Sequence, residues 1–223
     1  MGYPISISTP TGHISGWRAD PSIPPRGAIV LIQEVFGVNS HIRRQVDRFA
    51  EQGFICLAPA FFDHFEAQVE LAYDDKGITR GRGLVEKLGF DRAVADVEAA
   101  MRELPGEIPV GVVGYCWGGT VAYLANTRLG LPAVSYYGAR TIPFVHERLR
   151  APMMFHFGET DTLIPPEAVQ AHRDAQPDAS LFVYPRVGHG FNCDERGAYD
   201  AEASKLAMER TVDFFTQALK PAD

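Results

Sequence analysis

The segment Gly114-Tyr115-Cys116-Trp117-Gly118-Gly119 is the strongest pattern in this chain of 223 residues. It follows the apolar run 110–113 and opens a segment with helical periodicity. A sharp turn from a strand into a helix strains the backbone of its central residue and leaves room only for glycine on either side. The spacing is typical of the turn that carries a catalytic nucleophile, with Cys116 in the nucleophile position.

Cys116 has a functional and a purely structural interpretation. A buried cysteine in a glycine-rich turn needs no catalytic role. At the start of a helix, however, the backbone dipoles favour a developing thiolate, and the N–H of Trp117 can bind an oxyanion at the same point. The preceding strand pattern and the following helical pattern favour the nucleophile.

Short apolar runs alternate with helical patterns along most of the chain. The runs lie at 28–32, 54–58, 110–115, 133–137, 153–157 and 181–184, and the helical patterns at 39–52, 90–104, 118 to about 128, from about 166, and roughly 198–219. Continuous apolar runs suit strands that are buried on both faces of a parallel sheet. Residues 3–9 and 13–18 alternate around a Thr11-Gly12 turn, which predicts an antiparallel hairpin. We therefore predict one α/β domain over residues 1–223, with a mostly parallel, doubly wound sheet, this N-terminal hairpin, and helices on both faces.

Two loops after Cys116 supply the base and the acid that a thiol nucleophile needs. Asp161 follows the run 153–157, and His189 follows the run 181–184 within Gly188-His189-Gly190-Phe191. Because ligands bind beyond the C-terminal ends of the strands in such sheets, both loops are expected on the side of Cys116. Each residue alone suits a turn or a loop. Their order of nucleophile, acid and base is that of an α/β-hydrolase, and it predicts a triad of Cys116, His189 and Asp161.

Composition and charge exclude several classes of function. The 46% hydrophobic and 22% charged residues are typical of a soluble globular protein, and the net charge of −7 gives no basic face for nucleic acid or an anionic membrane. Cys56, Cys116 and Cys193 form no C-x-x-C pattern, and no H-E-x-x-H occurs, so we expect neither disulfides nor a bound metal. Without an apolar run of membrane-spanning length or a secretory signal, we expect a cytoplasmic protein with no membrane partner.

The remaining motifs and histidines are less informative. No G-x-G-x-x-G follows the run 28–32, which argues against a nicotinamide-dependent dehydrogenase, and we expect no cofactor. His156 is expected in the core because it lies within a predicted strand, whereas His41, His64 and His172 are expected at the surface. No assembly motif is evident, so we expect a monomer.

The chain resembles the dienelactone hydrolase family, also called carboxymethylenebutenolidases, over nearly its whole length. The motifs that carry the resemblance are Gln33-Glu34-Val35-Phe36-Gly37-Val38-Asn39, the Cys116 segment, the Asp161 loop and the His189 loop. The resemblance implies that Cys116, Asp161 and His189 are catalytic. It further implies that Glu34 lies beside the thiol and that the backbone N–H groups of Val35 and Trp117 form an oxyanion hole. The arginine that it implies for the substrate carboxylate is Arg80, with Arg82 as the alternative.

Glu34 has two interpretations at this stage. An anionic carboxylate close to a thiol disfavours the thiolate form, so Glu34 could restrain Cys116 until a substrate carboxylate displaces it. An ion pair at the edge of the site is the alternative.

One position departs from the family pattern and leaves the substrate open. Family members that act on dienelactone carry a second arginine four residues after the catalytic histidine, where this chain has Cys193, with Arg196 nearby but displaced. A two-pronged contact from arginine to a carboxylate is strong and specific. We expect a hydrolase that cleaves a small, carboxylate-bearing lactone or ester through an acyl-enzyme. The alternatives are a general carboxylesterase or thioesterase with a more neutral pocket, and a non-catalytic ligand-binding or redox-sensing protein.

Overall fold

The computed structural model describes residues 1–220 and contains a sheet of eight strands. The strands are β1 (Tyr3–Thr9), β2 (Gly12–Ala19), β3 (Ala28–Ile32), β4 (Ile55–Pro59), β5 (Val110–Tyr115), β6 (Ala133–Tyr136), β7 (Met153–Gly158) and β8 (Ser180–Tyr184). The α-helices are α1 (Ser40–Glu51), α2 (Asp75–Leu88), α3 (Phe90–Arg102), α4 (Trp117–Leu129), α5 (Pro166–Ala175) and α6 (Ala201–Ala218). None of these helices has the length and apolar character needed to cross a membrane. The predicted domain boundary at residue 223 lies outside the described residues.

The strand order in the sheet is β1-β2-β4-β3-β5-β6-β7-β8. β1 and β2 form the predicted hairpin, with Tyr3 opposite Arg18 and Thr9 opposite Gly12, and β2 runs antiparallel to β4. From β4 to β8 the neighbouring strands are parallel. The predicted fold, a mostly parallel sheet with an antiparallel start, is therefore confirmed.

The central strands are buried along their whole length, as their continuous apolar sequences require. All five residues of β3, all five of β4 and all four of β6 are buried. Strands with this composition have no polar face to present to water, so helices must cover both sides of the sheet. The edge strand β8 is only partly buried.

The first helix begins where its sequence predicts. The side chain of Asn39 accepts a hydrogen bond from the N–H of Ile42 at 3.2 Å, which caps the N-terminus of α1. The helix ends before Gln52, and Gly53 follows with a φ of +90° that favours glycine. Local capping signals thus fix both ends of α1 and set the direction of the chain from β3 into β4.

Helix α2 was not predicted from the sequence. It contains three glycines, which lower its intrinsic helix propensity. Its N-terminus is capped by Asp74, whose Oδ1 accepts a hydrogen bond from the N–H of Gly77 at 2.7 Å. Gly81 is buried, and a Cβ on it would overlap the carbonyl oxygen of Val35. Close packing against Val35, in the segment that follows β3, therefore stabilises a helix that local propensity does not favour.

Two histidines that were expected at the surface are buried, so that expectation was wrong. The exposed fractions of His41 and His172 are 0% and 1%. Each ring has one nitrogen bound: Nδ1 of His41 lies 3.2 Å from Oδ1 of Asp194, and Nδ1 of His172 lies 2.7 Å from the carbonyl oxygen of Ala168. A neutral imidazole with one nitrogen hydrogen-bonded can pack in a core, which a simple division into polar and apolar residues overlooks.

Two glycines of α2 provide a matched test of this packing. Gly83 is exposed and has nothing within 4 Å of an added Cβ, so we expect Gly83→Ala to raise the free energy of unfolding by about 0.5–1 kcal/mol. We expect Gly81→Ala to lower it by about 1–3 kcal/mol, because the new methyl group meets Val35. Denaturant titration measures both changes. Stabilisation by Gly81→Ala would show that α2 does not pack this closely against Val35.

Candidate active site

Cys116 occupies the turn between β5 and α4 in a strained backbone conformation. Its φ is 56° and its ψ is −118°, and a positive φ is uncommon for a residue other than glycine. A Cβ on Gly114 would overlap the carbonyl oxygen of Gly118, and a Cβ on Gly118 would lie 2.6 Å from the carbonyl oxygen of Ile32. The two glycines let β3, β5 and α4 approach closely, and this contact holds Cys116 in place.

The structure brings Cys116, His189 and Asp161 into one hydrogen-bonded row. Nε2 of His189 lies 3.1 Å from Sγ of Cys116, and Nδ1 lies 2.8 Å from Oδ2 of Asp161. Asp161 is buried, and its Oδ1 accepts a hydrogen bond from the N–H of Leu163 at 2.9 Å. Because an ionised carboxylate can only accept, Nδ1 carries the shared proton and Nε2 faces the sulfur.

The imidazole of His189 interacts electrostatically with both of its partners. Burial lowers the pKa of His189, but the charge of Cys116 and the hydrogen bonds to Asp161 and Cys116 raise it overall, from 6.5 to about 10. The shift is upward, so the imidazolium form persists at neutral pH, where an isolated histidine is mostly neutral. This arrangement can hold a thiolate beside an imidazolium.

Glu34 lies immediately after β3 and is 1% exposed. Its Oε1 accepts a hydrogen bond from Nη1 of Arg196 at 3.4 Å, and its Oε2 accepts one from the hydroxyl of Tyr73 at 3.1 Å. Burial lowers the pKa of Arg196, but the charges of Glu34 and Cys116 raise it overall. The Arg196 guanidinium therefore lies in the electric field of both Glu34 and Cys116. Glu34 forms an ion pair with Arg196, which is the second of the two interpretations that the sequence left open for Glu34.

A cavity of about 280 Å³ is lined by Cys116 and His189. The apolar part of the remaining wall consists of Val35, Phe36, Ile78, Trp117, Ala139 and Leu163. The cationic part consists of Arg82, Arg140 and Arg196. Its volume is at the small end of the range for ligand sites. The cavity thus suits a small molecule with an apolar body and a negative group.

Arg80 does not lie where its implied role requires. Its Nη2 pairs with Oε2 of Glu66 at 2.5 Å, and its side chain is 52% exposed. Among the described residues that line the cavity, Arg82 is present and Arg80 is absent. Residues two apart on a helix are separated by about 200° around its axis, so α2 can present only one of them to the cavity. Of the two arginines that the resemblance offered, Arg82 therefore lines the cavity and Arg80 does not.

The two implied oxyanion-hole residues line the same cavity as Cys116. Val35 follows β3, Trp117 opens α4, and both line the cavity. The first N–H groups of a helix have no partner within the helix, which leaves that of Trp117 free for an oxyanion. The Trp117 ring packs against Phe61 and Phe90, with ring centroids 5.6 Å and 6.3 Å away. This packing fixes the start of the helix relative to the cavity.

Two residues of the site were not anticipated from the sequence. Arg140 lines the cavity, and the ring centroid of Tyr137 lies 5.1 Å from that of His189. Both follow β6, at the edge of the sheet where Asp161 and His189 also lie. The rule that ligands bind beyond the C-terminal ends of strands could have found them, although no motif marks either residue.

The strained cysteine turn on a mostly parallel sheet, followed along the chain by the Asp161 loop and then the His189 loop, defines an α/β-hydrolase fold. A family model described as the dienelactone hydrolase family matches residues 14–219. The chain belongs to the dienelactone hydrolase family and is a carboxylic-ester hydrolase, as the sequence resemblance implied.

Relatives and solved structures agree with this assignment. A relative from Synechocystis sp. is 32% identical over 97% of this chain and 96% of its own length. The carboxymethylenebutenolidase of Pseudomonas putida is 31% identical over 97% of this chain and 98% of its own. A crystal structure from Klebsiella pneumoniae superposes with a TM-score of 0.84 at 26% identity, covering 97% of this chain and 98% of that one. The dienelactone hydrolase of Anabaena variabilis shares the fold, with a TM-score of 0.72 at 18% identity over 99% of both chains.

The effect of the Cys116 sulfur on the pKa of His189 can be tested by its direction. The charge of Cys116 is the largest contribution that raises the pKa of His189, whereas burial lowers it. We therefore expect Cys116→Ala to lower that pKa from about 10 toward its ordinary value. NMR titration of the His189 ring, with the signal assigned by its loss in His189→Gln, measures the shift. A pKa that stays near 10 in Cys116→Ala would mean that the sulfur does not hold the proton on the ring.

Proposed function

We propose that this hydrolase cleaves a lactone or ester of a small, carboxylate-bearing molecule through a covalent thioester on Cys116. The observation that carries the proposal is the pair of hydrogen bonds, 3.1 Å and 2.8 Å long, that run from Cys116 through the His189 ring to Asp161. A nucleophile in contact with a base, and a base held by an acid, are what nucleophilic hydrolysis requires.

Acylation begins from the ion pair in which Nε2 of His189 holds the proton of the Cys116 thiol. The thiolate attacks the carbonyl carbon of the substrate, and the N–H groups of Val35 and Trp117 stabilise the resulting oxyanion. The intermediate then collapses: the bond from the carbonyl carbon to the leaving oxygen breaks, and Nε2 donates its proton to that oxygen. In a lactone the released hydroxyl remains attached to the acyl group.

Deacylation reverses the role of His189. A water molecule gives a proton to Nε2 while its oxygen attacks the thioester carbonyl. The bond between carbon and sulfur breaks, which restores the Cys116 thiolate beside the protonated His189 ring, and the acid leaves. Asp161 keeps the ring oriented and stabilises the imidazolium during both halves of the reaction.

Three arginines in the cavity wall support an anionic substrate. Arg82, Arg140 and Arg196 all line the cavity, and a guanidinium binds a carboxylate through two parallel hydrogen bonds. Arg196 is the strongest candidate because its side chain is only 20% exposed and its charge acts on Cys116. Its ion pair with Glu34 offsets the charge of that carboxylate, so we favour the ion pair over a restraint of the thiol by Glu34. A substrate carboxylate then competes with Glu34 for Arg196.

The triad assignment is tested by turnover of a dienelactone and of an uncharged aryl ester. We expect Cys116→Ala to abolish turnover of both substrates and Asp161→Asn to lower kcat by about 10²–10⁴-fold, because the base loses its orientation. Cys56 is a buried cysteine in β4, and Cys56→Ala is the matched control that should retain activity. Wild-type turnover by Cys116→Ala would overturn the proposal.

The substrate class is tested by comparing arginine variants on the same two substrates. We expect Arg196→Gln to raise the KM for dienelactone by about 10–100-fold and to change the KM for the uncharged ester much less. The reason is that only the dienelactone carboxylate loses a charge-assisted hydrogen bond. Arg80→Gln is the matched control, since Arg80 is exposed and paired with Glu66. A selective loss in Arg80→Gln, with none in Arg196→Gln, would return the carboxylate role to Arg80.

A general carboxylesterase is the second candidate, and the apolar part of the cavity wall favours it. Val35, Phe36 and Ile78 offer contacts to an uncharged acyl chain. This function predicts that wild type hydrolyses the uncharged ester with a higher kcat/KM than dienelactone, and that Arg196→Gln leaves this preference unchanged.

A further inference from the structure

A second cluster of reactive side chains lies beside the proposed active site, formed by Glu34, His41 and Cys193. One oxygen, one nitrogen and one sulfur from these residues lie within 4.8 Å of one another. The three residues are buried, with exposed fractions of 1%, 0% and 0%. They come from the end of β3, from α1 and from the loop after β8. The fold assembles this cluster, and for that reason no sequence motif announced it.

His41 presents an unused ligand atom in this cluster. Nδ1 of its ring lies 3.2 Å from Oδ1 of Asp194, and within residues 1–220 its buried Nε2 has no hydrogen-bond partner. In the tautomer that carries its proton on Nδ1, the ring donates to Asp194 and Nε2 presents a lone pair. A carboxylate on the far nitrogen is the usual outer contact of a metal-binding histidine. A buried nitrogen without a partner requires an explanation, and a bound ion is one.

Cys193 and Glu34 complete a mixed ligand set. Burial, and then the charge of Glu34, raise the pKa of Cys193 to about 12, so its sulfur is a thiol at neutral pH. The carboxylate of Glu34 has lone pairs beyond those that Tyr73 and Arg196 use. The proton on Cys193 must therefore leave when a metal binds, as is usual for thiolate ligands.

We propose that Glu34, His41 and Cys193 bind a zinc ion. A carboxylate oxygen, an imidazole nitrogen and a thiolate sulfur suit Zn²⁺, whereas Mg²⁺ and Ca²⁺ prefer oxygen ligands alone. Zinc forms bonds of about 2.0–2.3 Å to such atoms, so two atoms on one ion are at most about 4.6 Å apart. The ligand atoms of the cluster lie within 4.8 Å of one another, and they must move closer together to bind the ion. On binding, the thiol proton is released to solvent, three bonds to the ion form, and water can take the fourth position.

The position of the cluster gives the ion a structural role at the active site. Glu34 precedes Val35, and Cys193 follows His189 by four residues. A metal that holds Glu34 and Cys193 therefore ties the oxyanion loop to the loop that carries the base. The ion also shares Glu34 with Arg196, whose guanidinium lies 3.4 Å from that carboxylate.

The experiment measures metal binding in the Cys116→Ala background, which removes the thiol of the active site as a competing ligand. Metal-free protein is titrated with Co²⁺ and then with Zn²⁺. We expect a thiolate-to-cobalt charge-transfer band that one equivalent of Zn²⁺ abolishes. Adding Cys193→Ser should remove the band, and adding His41→Gln should weaken Zn²⁺ binding by at least about tenfold.

The chain offers matched controls for both ligand variants. Cys56 is another buried cysteine, and His172 is another buried histidine whose Nε2 has no partner among the described residues. Neither residue belongs to the cluster. Cys56→Ala and His172→Gln should therefore leave both the cobalt band and the Zn²⁺ affinity unchanged.

X-ray absorption of the zinc-loaded Cys116→Ala protein gives a readout that does not depend on how well the ligand variants fold. We expect one sulfur and two or three nitrogen or oxygen neighbours at about 2.0–2.3 Å. The proposal is overturned if no Zn²⁺ binds in the Cys116→Ala background, if the zinc has no sulfur neighbour, or if a folded Cys193→Ser protein keeps the charge-transfer band. None of these results bears on whether Cys116 is the nucleophile.

Discussion

The close contact of β3, β5 and α4 at Gly114 and Gly118 is the constraint on which the site depends. Side chains at these two positions would overlap backbone carbonyl oxygens, so the strands and the helix could not approach as they do. That approach holds Cys116 at a positive φ and places its sulfur at the start of α4. The strain at one residue is offset by a sheet whose central strands are buried. Cys116 is thus positioned by packing rather than by its own conformational preference.

The electrostatics of the site follow from this position. Groups of opposite charge alternate around the sulfur. The His189 ring lies between the carboxylate of Asp161 and the sulfur of Cys116, and the guanidinium of Arg196 lies in the field of Cys116 and pairs with Glu34. Each buried charge has a partner of opposite sign, which reduces the cost of burying it. The same sequence of charges leaves Arg196 shared between a protein carboxylate and the cavity.

The parts that were predictable from the sequence are those with strong local signals. The glycine-flanked Cys116, the continuous apolar strands, the Asn39 cap and the order of the acid and base loops each predicted a feature of the structure. The parts that were missed depend on tertiary packing. Helix α2 is rich in glycine and is stabilised by contact with Val35, so local propensity did not predict it. The resemblance implied Arg80 ahead of Arg82, and only the packing of α2 decides which of the two lines the cavity. The cluster of Glu34, His41 and Cys193 joins segments far apart in the chain, and only the fold brings them together.

The central claim is that the Cys116 sulfur carries the acyl group of the substrate. Rapid-quench mass spectrometry of the intact protein during lactone hydrolysis, followed by peptide mapping, tests it directly. We expect a transient adduct with the mass of the lactone on the peptide that contains Cys116, formed and lost at rates that account for turnover. Hydrolysis at full rate with no adduct on that peptide, or with the adduct on another residue, would contradict the account.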